Sequence, residues 1–219
     1  METVFAFLKK LESNNNRDWF EKNKEKYLVA KEEFETFVQE IINGIAKFDK
    51  RISPDMKAKD CTFRIYKDVR FSKDKTPYKN NMGASINPGG KKSVIPGYYF
   101  HLQPEASFLA GGVWMPEPEI LNAIRQEIDY NSQPLVKILK SAAFKKYFKG
   151  LDEDGALKTA PKGYNKEHPL IDLLRNRHFI ASHSFTNKQI ADKNAAKEIV
   201  AGFKAMHPFL EYLREATEK

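Results

Sequence analysis

Arg64, Tyr66, Asp68 and Arg70 occupy alternate positions, and in an extended strand that spacing sends all four side chains to one face. An aspartate between two arginines is held ionised and fixes both guanidinium groups, and such a row grips a phosphate or carboxylate by forked hydrogen bonds. Around these residues, from Cys61 to Phe71, Cys61, Phe63, Ile65, Val69 and Phe71 alternate with Thr62, Arg64, Tyr66, Asp68 and Arg70, the period of a half-buried strand. Lys73, Lys75 and Lys79 follow in a charged segment that reads either as an exposed turn with solvated lysines or as a loop closing over whatever the strand holds. Between Lys57 and Lys92, ten basic residues against three acids leave +7 of the chain's formal +8, which marks this stretch as the place for an anion. A salt-bridged solvent face accounts for the same row of charges equally well.

A second set of residues bears on proton transfer. In a regular strand Tyr99, His101 and Gln103 share one face, and Tyr98, Phe100 and Leu102 the other. If Tyr99 and His101 lie on the arginine face, His101 is a general acid or base beside an anion site; a hydrogen-bonded structural histidine is the competing reading. His178 and His183 stand five apart in an expected strand, on opposite faces, so they do not form a metal pair. His168 precedes Pro169 and shapes a turn. Pro88-Gly89-Gly90-Lys91-Lys92-Ser93 lacks the spacing of a phosphate-binding loop and reads as a hairpin turn. The single cysteine, Cys61, excludes an intramolecular disulfide and a local zinc set, no metal is expected, and no motif names a cofactor. No Ser-His-Asp set, glycosidase carboxylate pair or dinucleotide glycine motif stands out.

The elements that must position these groups follow from period. An amino-terminal helix breaks at Ser13-Asn14-Asn15-Asn16, where polar side chains cap the next helix. Trp19, Phe20, Tyr27, Phe34, Phe37, Val38, Ile41, Ile42 and Ile45 then form the stripe of a long helix interrupted near Asn23. After the Cys61–Phe71 strand, further strands are expected at Met82–Ile86, Gly97–Gln103 and Ser107–Trp114, with short connections that favour antiparallel pairing. Helices return after Pro116, over Gln133–Lys140, Ser141–Phe148 and Pro169–Arg175. A strand at Phe179–Phe185 precedes a final helix from Thr186 to Ala216, bent at Pro208. Helices on both sides of a run of strands give an α+β class, a mainly antiparallel sheet flanked by amino- and carboxy-terminal helices, in one domain over 1–219.

Hydrophobic residues at 41% and charged ones at 30% are ordinary for a folded soluble chain and argue against disorder. With one cysteine and no apolar stretch long enough for a bilayer, a cytoplasmic protein with no membrane association is expected.

Phe7-Leu8-Lys9-Lys10-Leu11, Asn14 to Phe20, Arg64 to Lys79, Gly97 to Leu102, Phe108 to Pro116, Ala160 to Tyr164, and His168-Pro169 resemble, in order, an uncharacterised family called domain of unknown function 2461. The resemblance implies one α+β domain and no particular activity, and it adds Lys162 to the residues expected at the anion site. At Asn80-Asn81-Met82-Gly83 the chain departs from a histidine and aromatic expected before the glycine in many relatives. The expectation is therefore a small phosphate- or carboxylate-bearing ligand on the polar face of the sheet. Catalysis by His101 is one alternative, and an interaction module or weak, salt-sensitive nucleic-acid binder is the other.

Overall fold

The computed structural model describes residues 1–218. Helices α1 (Glu2–Ser13), α2 (Arg17–Lys22) and α3 (Lys24–Ile45) open the chain, and a single turn, α4 (Ala58–Cys61), follows. Three strands, β1 (Met82–Ile86), β2 (Gly97–Leu102) and β3 (Ser107–Val113), lead to α5 (Pro118–Tyr130), α6 (Ser132–Lys140), α7 (Ala142–Tyr147) and α8 (Ile171–Leu174). Strand β4 (Phe179–Phe185) and helices α9 (Asn187–Ala191) and α10 (Ala195–Thr217) complete it.

The strands form one antiparallel sheet in sequence order, β1-β2-β3-β4. Register places Ala84, Phe100, Leu109 and His183 abreast on one face, and Ser85, Tyr99, Ala110 and Ser182 abreast on the other. The first face carries the bulk and is covered. Phe34 and Phe37 of α3 meet Phe100 with ring centroids 6.2 and 5.6 Å away, and Phe203 of α10 meets Tyr98 at 5.1 Å. Large apolar side chains on one face and small or polar ones on the other are what an antiparallel sheet with one layer of helices requires. One connected cluster of buried side chains runs from Val4 to Ala216.

Local signals set most boundaries. Asn16 caps α2 by accepting from the Trp19 amide at 2.9 Å, and α2 and α3 meet at Asn23, as the polar break predicts. The carboxy-terminal helix is divided where one was expected: α9 ends at Asp192, whose ψ of 142° is extended, and α10 then runs through Pro208. No helix among the described residues is long and apolar enough to cross a membrane.

The expected strand from Cys61 to Phe71 does not form. Cys61 ends α4, Thr62 and Tyr66 make only isolated bridges, to Ala84 and Tyr78, and the chain from Ile65 to Lys79 folds back on itself as an irregular arm. Lys67 N donates to Pro77 O at 2.9 Å and Lys79 N to Ile65 O at 2.8 Å, so the arm pairs with itself at its base. The alternation is real, but Val69 and Phe71 have no layer to bury against, and Phe71 is 95% exposed. With ion pairs Lys67–Asp74 and Asp68–Arg70 satisfied locally, the tip stays in water. Stacking of Phe20 on Tyr78, at 4.0 Å and 14°, and a reciprocal pair of hydrogen bonds, Asn15 Nδ2 donating to Tyr78 O and Tyr78 N to Asn15 Oδ1, anchor the base.

Candidate functional site

The uncovered face of the sheet is the floor of a cavity of about 810 Å³. Ser85, Tyr99, Ala110 and Ser182, one from each strand, cross it in register, with Phe108, Gly112, Ile180 and Ser184 beside them. Small side chains on the strands leave the room, because a helix layer would otherwise have to fill it.

Three connections build the walls. The β1–β2 turn contributes Ser93, Val94 and Ile95 and is held by Asn87: its Oδ1 accepts from Ser85 Oγ at 3.1 Å, and its Nδ2 donates to the carbonyls of Ser93 and Ile95 at 3.4 and 3.3 Å. The β3–α5 connection contributes Trp114, Met115, Pro116 and Glu117. Met115 is a non-glycine residue at φ +45°, and Trp114 and Met115 are 63% and 69% exposed, so strained backbone presents two large apolar side chains at the rim. Phe63 closes the β1 side, one strand position outside β1 through its amide on Gly83 O. Asp152 closes the β4 side in the same way, its amide donating to Ile180 O at 2.7 Å.

Polar groups in this apolar surround are few and ordered. Ser182 Oγ donates to Asp152 Oδ1 at 3.1 Å. The Tyr99 hydroxyl lies 3.0 Å from His101 Nδ1, and His101 Nε2 lies 2.9 Å from Gln103 Oε1. Burial lowers the imidazole's pKa below its usual value, against the hydrogen bond from Gln103, and raises that of the Tyr99 hydroxyl. In the neutral ring that burial favours, Nε2–H facing the amide oxygen leaves Nδ1 to accept from Tyr99 O–H. His101 is also stacked on Phe108, at 4.6 Å and 14°.

Over residues 3–212 the chain matches the family model described as conserved hypothetical protein (DUF2461). The chain belongs to the DUF2461 family. No curated protein and no solved structure matches it.

In this DUF2461 chain the residues expected at an anion site divide. Tyr99 lines the cavity, and His101 lies on the same open face but behind Tyr99 and Phe108, with both ring nitrogens engaged. Lys79 Nζ sits 5.6 Å over the ring of Phe63, which puts one cation behind the cavity's β1 wall without lining it, and its pKa is lowered by burial first and by the charge of Arg64 second. Neither Arg64 nor Lys79 forms an ion pair among the described residues.

The other members point elsewhere. Asp68 and Arg70 form an exposed pair at 2.7 Å in which the hydrogen bond from Arg70 draws the carboxyl down to about 2. Tyr66 packs against Phe20 and Tyr78 at the arm's base, with centroids 5.9 and 5.4 Å away. Lys75 donates to Val69 O at 3.0 Å, Lys73 is exposed on the arm, and Lys162 is exposed between α7 and α8. The common-side alignment of Arg64, Tyr66, Asp68 and Arg70 therefore fails with the strand that would have imposed it.

Ser85, Ala110, Ser182, Trp114 and Asp152 were not foreseen at the site. The small residues at alternate positions of three strands carried a signal, since a strand face without bulk is either covered by backbone or left open. Asp152 carried none, because it reaches the cavity only through its pairing with β4.

On the covered side, Asp49, His207 and Glu211 bring ligand atoms within 4.8 Å of one another. Arg214 Nη1 lies 2.8 Å from Asp49 Oδ2 and 2.6 Å from Glu211 Oε1, so a guanidinium already fills the space between the carboxylates. Burial raises the Asp49 pKa, but hydrogen bonding and charge from Arg214, helped by the Arg51 amide and Tyr98, outweigh it and hold the carboxyl below its usual range. This is an internal tie between the loop after α3, β2 and α10.

Proposed function

We propose that this protein binds a small amphiphilic organic anion on the open face of its sheet. The carrying observation is the cavity of about 810 Å³, floored by Ser85, Tyr99, Ala110 and Ser182 and walled by apolar side chains. A concave, largely apolar pocket with a few fixed polar groups is the usual form of a small-molecule site. Lys79 supports an anionic group at the Phe63 side: its ammonium stands 5.6 Å over the Phe63 ring, makes no ion pair among the described residues and feels the charge of Arg64, which also acts on Asp68. A bound anion relieves the repulsion between Lys79 and Arg64, and the Phe63 ring shields one side from water. In this reading His101 is a positioning residue that aims the Tyr99 hydroxyl.

Titration with 1-anilinonaphthalene-8-sulfonate, an aromatic anion of suitable size, tests this by fluorescence. The folded protein, with a cooperative thermal transition, is expected to bind it saturably at one site. Ala110→Phe should remove binding by filling the floor, and Lys79→Ala should weaken it roughly two- to fivefold, as for a partly exposed charge. Absence of saturable binding, or unchanged binding by a folded Ala110→Phe variant, overturns the cavity reading.

A further inference from the structure

Carboxylates line the cavity while the Lys79 ammonium stands behind its Phe63 wall, and we infer that its ligand is an elongated zwitterion whose cationic group is received by Asp152. The inference rests on the cavity reading above. Phe63 and Asp152 each lie one strand position outside the four-stranded sheet, on opposite edges, so about five strand spacings, roughly 24 Å of backbone, separate the ends. Lys79 stands behind the first end, its Nζ over the Phe63 ring, and Arg64 follows Phe63 in the chain.

At the second, the lining side chains that carry charge are carboxylates alone, Asp152 and Glu117. Neither makes an ion pair among the described residues, although the chain as a whole is basic. Asp152 is half-buried and oriented: its amide is fixed on Ile180 O and its Oδ1 accepts from Ser182 Oγ, which leaves Oδ2 for a donor in the cavity. Trp114 lines the same cavity, packed against the His178 ring at 4.4 Å yet 63% exposed, and an exposed indole attracts a cation. An oriented carboxylate with an aromatic neighbour recognises an ammonium or guanidinium group.

Two dansyl probes with the same pentyl chain decide this: dansylcadaverine, whose chain carries a terminal ammonium group, and N-pentyl dansylamide, whose chain carries none. The wild-type chain is expected to bind dansylcadaverine roughly five- to tenfold more tightly, with the advantage shrinking as salt is raised. Asp152→Asn keeps the acceptor for Ser182 and should erase the advantage while binding of N-pentyl dansylamide stays unchanged. Equal affinities in the wild type, or an advantage that survives Asp152→Asn, would overturn the inference and leave the cavity reading standing. Failure of N-pentyl dansylamide to bind at all refutes the cavity reading and this inference with it. A preference for the cationic probe by a protein of formal charge +8 cannot come from its overall field, so it reports the local carboxylate.

Discussion

Tyr99 and His101 share a strand face as alternation predicts, yet the imidazole is spent on neighbours. Because both ring nitrogens are engaged, His101→Ala should cost about 1–3 kcal/mol of stability, read by denaturant unfolding, through the loss of a half-buried hydrogen-bonded pair. The pH dependence has a fixed sign. Burial lowers the folded pKa values of His101 and His207 below the ordinary 6.5, so the unfolded chain binds more protons in that window. The stabilisation is complete above 6.5 and is lost as pH falls through the folded values. Melting temperature should therefore drop on acidification below 6.5, and His101→Gln should make that drop shallower; an identical profile would show that His101 does not contribute.

At the scale of elements, the arm from Ile65 to Lys79 shows where period misleads. Its alternation was legible, but alternation makes a strand only if a neighbour offers an open edge and a layer offers cover; beyond Lys67 the chain has neither, and six charged side chains from Lys67 to Lys75 favour water. By contrast Met82–Ile86 and Ser107–Val113 were readable because their apolar side chains meet α3 and α10, respectively. The β3–β4 pairing depends on a glycine: Gly112 has φ +131°, and a Cβ there would lie 1.9 Å from Phe179 O. Gly112→Ala should cost about 3 kcal/mol or more, since backbone on both strands must shift. A variant that unfolds at the wild-type denaturant concentration would contradict this account of the β3–β4 junction.

Across the whole molecule, the α+β class, the antiparallel sheet less its expected Cys61–Phe71 strand, and the flanking helices were legible, while the cavity was not, because it is made by loops from distant parts of the sequence meeting over small strand residues. The covered face is tied down by Arg214, fully buried with Asp49. Arg214→Ala should destabilise by about 3–5 kcal/mol in urea unfolding, because it strands the Asp49 carboxylate without its counter-charge. A loss under 1 kcal/mol would mean that water or Arg51 replaces the pair. The central claim concerns the other face, and its most direct measurement is amide and indole NMR shift mapping during titration with 1-anilinonaphthalene-8-sulfonate. The account predicts saturating shifts centred on Tyr99, Ala110, Ser182 and the Trp114 indole; shifts confined to the exposed arm around Phe71, or to the outer surfaces of α3 and α10, would contradict it.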